Sequence, residues 1–399
     1  MAYQVRSKTS YGQRVSGSFK GIATGFLLFI AGTILLFWNE GNFVKTKKAL
    51  QEAEGVMVEA GDVSTLDPSL HGKLVHASAF ADTRDVLTDG LFGISETAIS
   101  ISRKVEYYQY VEYSKTETRD LIGGGQESVT TYTYEQKWVS APVNSADFND
   151  PSYRSYNYVL ANVESRTVRV DHVTFGAYKL PPFIISSISG SIPAEVKLTE
   201  QQVEQWEKTI VENRKALGFK PDTVAIQRIH ISGNVVYVGK SPSVAATGDV
   251  RVTLTKILPA DISIIAQVNG STFEKYTAEN GKTVSEVSMG TVSAKAMFSS
   301  AHSMNSVMTW ILRLLGIILI IVGLKSMFSI LPTLFKVLPF LGKIVGAGVG
   351  LVCTVGGIAW SLLIIALSWL WYRPLIGILL LVLVVAGIWF LRKKGKEKS

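Results

Sequence analysis

The sequence predicts an α+β protein, a polytopic membrane region of four helices joined to a β-rich soluble domain with hairpins and at least one amphipathic helix. Three observations carry that expectation. Residues 19–38 and 307–391 are almost wholly apolar. About 20 such residues cross roughly 30 Å of hydrocarbon as a helix, so the first run holds one span and the second holds three. The region between them alternates polar and apolar residues between glycine turns, which is the period of strands. Within it, one stretch after Thr199 repeats at helical spacing and carries capping signals at both ends.

Residues 1–18 form a basic tail with Arg6, Lys8 and Arg14 and no acid, expected to be poorly ordered and cytoplasmic. Span one is 19–38. A cleaved signal peptide is the alternative, but the run is long and Trp38-Asn39-Glu40-Gly41 follows it instead of a small-residue cleavage site. Trp38 sits where an interfacial aromatic belongs. The large domain is expected over 39–306. Residues 43–54 keep a helical period and either lie on the membrane surface or continue the span. Residues 73–80 read as a strand. Residues 99–115 and 128–139 alternate on either side of Gly123-Gly124-Gly125, as a long hairpin would. Its aromatic residues, among them Tyr107, Tyr110, Tyr132 and Trp138, are expected mainly as cross-strand pairs. A surface for a lipid or other hydrophobic ligand is the sharper alternative.

Thr199 with Gln202 makes a capping box. Val203, Trp206, Ile210 and Leu217 form one helical face, and Gly218 and Pro221 stop the helix. Strands are expected at 224–231 and 235–238 around Ser232-Gly233-Asn234, then at 249–256 and 262–268, with 272–276 as a further candidate. From Thr291 the helical period returns and is expected to run unbroken into span two, as a rigid strut.

The remaining boundaries are span two at 307–324, a cytoplasmic or interfacial connector at 325–343, span three at 344–371, span four at 375–391 and a basic tail at 392–399. Lys325, Lys336 and Lys343 make the connector basic. Positive flanks face the cytoplasm. Both termini are therefore expected there and the domain on the other side, facing the periplasm of a bacterial inner membrane or the ER or perinuclear lumen of a eukaryotic host. Residues 41–306 carry 26 Lys and Arg against 30 Asp and Glu, while the flanks carry 14 against two. The basic excess belongs to the membrane flanks and argues against nucleic acid as a partner, which needs a basic patch on a folded domain.

Cys353 is the one cysteine, so neither a disulfide nor a cysteine-based zinc site forms within the chain. His71 and His76 do not share a strand face. Gly281-Lys282-Thr283 ends like a P-loop, but Tyr276 stands where its first glycine belongs. Gly-x-Ser-x-Gly and His-Glu-x-x-His are absent. No catalytic residue, metal or cofactor is expected, and the protein reads as non-enzymatic. Arg313 lies about 9 Å into span two at 1.5 Å per residue. A charge in hydrocarbon marks function by default, but at this depth, beside Trp310, a snorkelling anchor is the favoured reading. Tyr372 and Arg373, in the corner after span three, are further candidate interface anchors and are expected on the domain side. Gly346-x-x-x-Gly350 allows close helix approach, either to a neighbouring span or to a second copy.

Together the motifs resemble the transmembrane protein 43 family, also called LUMA. Asn39-Glu40-Gly41, Gly72-Lys73-Leu74-Val75-His76 and the run from Val105 to Glu112 carry the resemblance. So do Tyr134-Glu135-Gln136-Lys137-Trp138, Gly248-Asp249-Val250-Arg251-Val252, Asn305-Ser306 with Thr309-Trp310 and Leu312-Arg313, and Tyr372-Arg373-Pro374-Leu375. Residues 144–222 depart from the pattern. The resemblance implies four spans with the large domain between the first two, and no enzyme. It also implies an organiser of membranes that self-associates, with membrane lipids and protein partners. Animal members are ER and inner-nuclear-membrane proteins that associate with lamins and emerin, which would apply in a eukaryotic host. Bacterial members also exist.

Overall fold

A computed structural model describes residues 3–222, 224 and 226–372. Its long helices are α1 (Tyr11–Val56), α2 (Glu200–Ala216), α3 (Ala294–Met327) and α4 (Pro339–Tyr372). Among the described residues three helices, not four, are long and apolar enough to cross a membrane: α1, α3 with its short continuation, and α4. The four-span expectation is corrected accordingly. The C-terminal apolar block supplies only the far part of α3 and α4 here. The expected fourth span at 375–391, the tail 392–399 and Arg373 lie outside the described residues.

The strands that build the domain are β1 (Tyr3–Thr9), β2 (Leu74–Asp82), β3 (Ser100–Asp120), β4 (Gln126–Val139), β5 (Ile229–Ser232), β6 (Val235–Val238), β7 (Val250–Ile257), β8 (Ala260–Asn269) and β9 (Glu286–Met289). One sheet runs β1-β4-β3-β7-β6-β5 with every neighbour antiparallel. The other is built on β9-β8-β2, extended by short strands. Alternation predicts which face each strand buries. On β7, Val250, Val252 and Leu254 point inward to the shared core, against Ile262 and Ile264 of β8.

β8 breaks the half-buried pattern, because both of its faces are covered. Ile262, Ile264 and Ala266 face the first sheet, while Ile265 faces helices. Those helices are the domain ends of α1 and α3. Ala49, Leu50 and Ala53 of α1 pack with Met297 and Phe298 of α3 against Leu74 and Ile265. The domain core therefore includes the roots of two membrane helices. Residues 43–54 continue the span, and the strut expected after Thr291 is one unbroken helix from Ala294.

Local signals hold where they depend on neighbours in sequence. The Gln202 amide donates to Thr199 Oγ1 (3.3 Å), and the Thr199 amide donates to Gln202 Oε1 (2.9 Å). They fail where distant groups intervene. The strand expected from 224 starts only at Ile229, because Glu207 Oε1 takes the amides of Arg228 and Ile229 at 2.6 and 2.7 Å. The N-terminal tail is also not a loose end. Its residues pair with β4 from Tyr3↔Tyr132 to Thr9↔Gln126, and Ser10 with Gln13 forms a second capping box at the start of α1. The connector is short. A helical turn at Ile330–Leu334 and a 3-10 turn at Phe335–Val337 lead into α4 at Pro339, ahead of the expected 344.

Candidate functional site at the domain end of the helix bundle

α1 and α3 run antiparallel and meet along glycines. A Cβ built on Gly25 would lie 2.6 Å from the Gly323 carbonyl oxygen, and one on Gly32 would lie 2.9 Å from that of Gly316. Each helix places its two glycines seven residues apart, so both fall on one face, and backbone approaches backbone as small residues allow in apolar surroundings. α4 closes on the pair at Gly357, whose Cβ would lie 2.7 Å from Ile321 Cγ1.

One turn beyond Leu36 the seam ends in polar groups. Glu40 is fully buried. Arg313 grips it with both arms of the guanidinium, Nε to Oε1 at 2.5 Å and Nη2 to Oε2 at 2.8 Å. Trp369 Nε1 of α4 donates to the same carboxylate at 2.9 Å. Asn39 Nδ2 donates to the Thr309 carbonyl at 3.1 Å, and Tyr372 lies flush on Gly41, where a Cβ would come within 2.5 Å of its ring. The Arg313 guanidinium also sits 4.7 Å from the centre of the Trp310 ring. All three apolar helices thus converge on one neutral ion pair at the end nearest the domain. Such a pair fixes register, and either charge alone would be costly to leave in place.

Arg313 is therefore not the free snorkelling anchor that its depth suggested. Its partner, Glu40, stands at the end of span one, and sequence spacing did not connect them. A usable signal was present: a lone acid closing one apolar run and a lone base opening the next. Trp38 and Trp310 remain largely exposed, as anchors require. Tyr372 packs inward, on Gly41 and 5.5 Å from Phe37. Among the described residues Gly346 and Gly350 do not make the close contacts. Gly346 faces only Pro332 at 3.6 Å, and a Cβ on Gly350 would meet open space.

The aromatic residues of the hairpin are distributed and do not form one surface. Tyr107 is buried, its hydroxyl donating to the Val163 carbonyl. Tyr110 meets Tyr153 and Tyr156 edge-on. Tyr132 lies 6.3 Å from Tyr3. Trp138 lies under the Arg251 guanidinium, 4.4 Å away, beside Tyr108. Near Trp138 a cavity of about 440 Å³ is lined by Tyr108, His230, Tyr237 and Arg251. Behind it Asp249 is buried and accepts hydrogen bonds from Tyr237 Oη and the Ala246 amide. Burial pushes the Asp249 carboxyl above its ordinary range, against the pull of those donors. Nearby, Tyr134 is pushed up to about 12 by burial and by Glu112, which accepts its hydroxyl at 2.6 Å.

Among the described residues no three His, Cys, Asp or Glu side chains gather to hold a metal. His76 is bonded to Glu59 Oε2 (2.6 Å) and the Val292 carbonyl (2.9 Å).

The family model for transmembrane protein 43 matches residues 107–374. The chain belongs to the transmembrane protein 43 family. It is 28% identical over 398 residues to "Transmembrane protein 43" of Rattus norvegicus, covering 97% of this chain and 93% of that protein. The human protein of that name is 27% identical over 404 residues, covering 98% and 94%. The "Transmembrane protein 43 homolog" of Drosophila melanogaster is 26% identical over 381 residues, covering 92% and 93%. No solved structure matches the chain. The protein is a multi-pass integral membrane protein with a large β-rich domain.

Proposed function

We propose that this transmembrane protein 43 family member is a membrane scaffold, in which the domain and the spans form one rigid body that presents a surface to partners. The observation that carries this reading is the shared root. α1 and α3 leave the domain core at Ala53 and Met297 without a break and are locked together by Glu40 and Arg313. A transporter needs a bundle with two arrangements, and a buried bidentate pair at the mouth opposes that. The basic N-terminal segment and the connector lysines orient both toward the cytoplasm, placing the domain in a periplasm or, in a eukaryotic host, the ER or perinuclear lumen. Lamin- or emerin-type partners belong to the eukaryotic case.

Among the described residues the glycine face of α4 is a candidate surface for self-association, flanked by exposed Leu351, Val352 and Val355. Gly346→Leu combined with Gly350→Leu is expected to shift oligomer size in detergent while the protein still inserts. Unchanged assembly would remove that face from the reading. Proximity labelling from the domain in the native host identifies the partners; recovery of lipid-metabolic enzymes alone would count against a scaffold.

A second reading has one observation in its favour. Val203 and Val211 of α2, with Phe219 and Val224, line an apolar cavity of about 680 Å³ rimmed by Lys215 and Lys220, which suits a lipid with an acidic head. Mass spectrometry of gently extracted protein tests it, since a stoichiometric lipid lost in Val211→Asp would favour this reading.

A further inference from the structure

On the domain side of the Glu40–Arg313 pair, a polar cleft of about 290 Å³ opens along the seam of α1 and α3. Phe43, Lys47 and Gln51 of α1 line it, with His302, Asn305 and Ser306 of α3. The two helices are pinned there by Asn305 Nδ2, which donates to the Phe43 carbonyl at 3.2 Å. Ser306 Oγ donates back to the His302 carbonyl at 3.0 Å. No Asp or Glu lines the cleft. Glu54 Oε2 stands 4.0 Å from His302 Nε2. Glu52, on the same stretch of α1, is taken up elsewhere: its carboxylate accepts Tyr276 Oη at 2.7 Å and the Glu279 amide at 3.0 Å. Lys47 is exposed, and among the described residues neither its ammonium nor the Gln51 side-chain amide has an ion pair or hydrogen bond.

Depth decides what meets these donors. Exposed Trp38 and Trp310 mark the edge of the hydrocarbon. Lys47 leaves α1 about 14 Å beyond Trp38 at 1.5 Å per residue. Helical side chains lean toward the N-terminus and cover the preceding turn, and on α1 that direction is back toward the membrane. The Lys47 ammonium therefore comes level with Phe43, about 7.5 Å beyond Trp38. Headgroups occupy roughly 5–8 Å outside each face of the hydrocarbon, so the cation stands among them. Lys282 Nζ, donating to Asn42 Oδ1 at 2.5 Å, adds a second cation at that height. Lys45 and Lys48 are exposed on the same stretch, and such a cluster beside a span attracts anionic lipid.

Trp310 lies one turn from Ser306 toward the membrane, on the same helical face. The cleft is thus a polar recess next to an exposed indole. Pockets that enclose a whole drug-sized ligand run from about 300 Å³ upward. This one takes a headgroup and leaves the acyl chains in the bilayer.

We propose that the cleft seats the phosphate of an anionic phospholipid from the domain-side leaflet. Lys47 supplies the charge that recognises it, Gln51 and His302 flank it, and Trp310 lies against the glycerol. Phosphate is the group these donors favour, because its oxygens accept charge-assisted bonds from an ammonium and further bonds from an amide. Free phosphate would use the same donors but makes no use of the indole. The seat is separate from the apolar cavity at Val211, and it holds whichever compartment the domain faces.

The test is native mass spectrometry of the full chain in detergent, titrated with dioleoyl phosphatidylglycerol. One lipid is expected to bind saturably. Lys47→Gln is expected to weaken it about fivefold, the effect of one lysine beside an anionic headgroup. Ser306→Leu fills the cleft without changing charge and is expected to weaken it as well. Lys48→Gln, outside the cleft, is expected to leave binding unchanged, and so is Val211→Asp. Lys47 and Ser306 are both exposed, so neither substitution threatens the fold. Equal losses in Lys47→Gln and Lys48→Gln would mean diffuse surface attraction and overturn the seat. Dioleoylglycerol, with the same chains and no phosphate, binding as tightly would overturn it too, as would no binding of phosphatidylglycerol. Displacement of the lipid by inorganic phosphate at matched concentration would assign the cleft to free phosphate and overturn the lipid. Loss of the lipid in Val211→Asp but not in Lys47→Gln would place it in the domain cavity instead.

Discussion

Glu40 accepts three hydrogen bonds from two helices while remaining fully buried. Arg313→Leu leaves that carboxylate with Trp369 alone, and the expected loss is about 3–5 kcal/mol of stability. Glu40→Gln combined with Arg313→Met removes both charges and is expected to recover most of it. Thermal unfolding in detergent measures both variants, and a double variant no more stable than Arg313→Leu would mean that the two residues are not coupled. Asp249 makes a pH prediction. Burial raises its folded pKa above the unfolded value. The folded state therefore binds its proton more tightly, and ionisation costs stability as pH rises through the unfolded value toward the folded one. That cost is absent below the unfolded pKa and complete above the folded pKa. Asp249→Asn is expected to flatten the fall in stability that sets in near about pH 4. An unchanged slope in unfolding measured across that window would assign the fall to other groups. At this scale the sequence displayed Arg313 as a charge but hid its partner, because 273 positions separate the two. It displayed the hairpin tyrosines, but Tyr107 and Tyr110 meet residues between 153 and 163 and Tyr132 meets Tyr3, and no period connects these to the hairpin.

Elements were legible to the extent that their signals are local. The capping box at Thr199, the glycine turn at 123–125 and the period from Thr291 all produced the expected structure, since each depends on neighbours within a turn. Helix contact is different. Gly346 and Gly350 stood out by their spacing, yet the close approach belongs to Gly25, Gly32, Gly316 and Gly323. Both pairs share a spacing of seven, but only the antiparallel pairing of two distant helices gives that spacing meaning. Gly25→Leu is expected to force α1 from α3, because its Cβ already crowds the Gly323 carbonyl. The measurable result is loss of the monodisperse peak in size-exclusion chromatography. Gly350→Leu, with open space around it, should leave the fold of one chain intact. If Gly25→Leu is tolerated equally well, the α1–α3 seam is not the packing surface.

At the scale of the molecule, the domain and the bundle share a core through Ala49, Leu50, Met297 and Phe298, so they are expected to unfold as one. Ser299→Pro breaks α3 just outside that core, at a cost of about 3 kcal/mol for a helix interior. It should split one transition into two, read separately by far-ultraviolet circular dichroism and by tryptophan fluorescence of the bundle. A single transition in the variant would mean that α1 alone carries the coupling.

The sequence by itself determined the membrane class, the large β-rich domain between the first two apolar runs, and the family. These follow from hydropathy, local period and motif order, which need no knowledge of contacts. Only the tertiary structure decided that Arg313 answers Glu40, that glycines of α1 and α3 form the seam, and that Lys47 and His302 line one cleft. It also replaced four expected spans with three among the described residues. The physical reason is common to all of these: each joins groups far apart in the chain, and burial, charge pairing and close backbone approach act on distance in space.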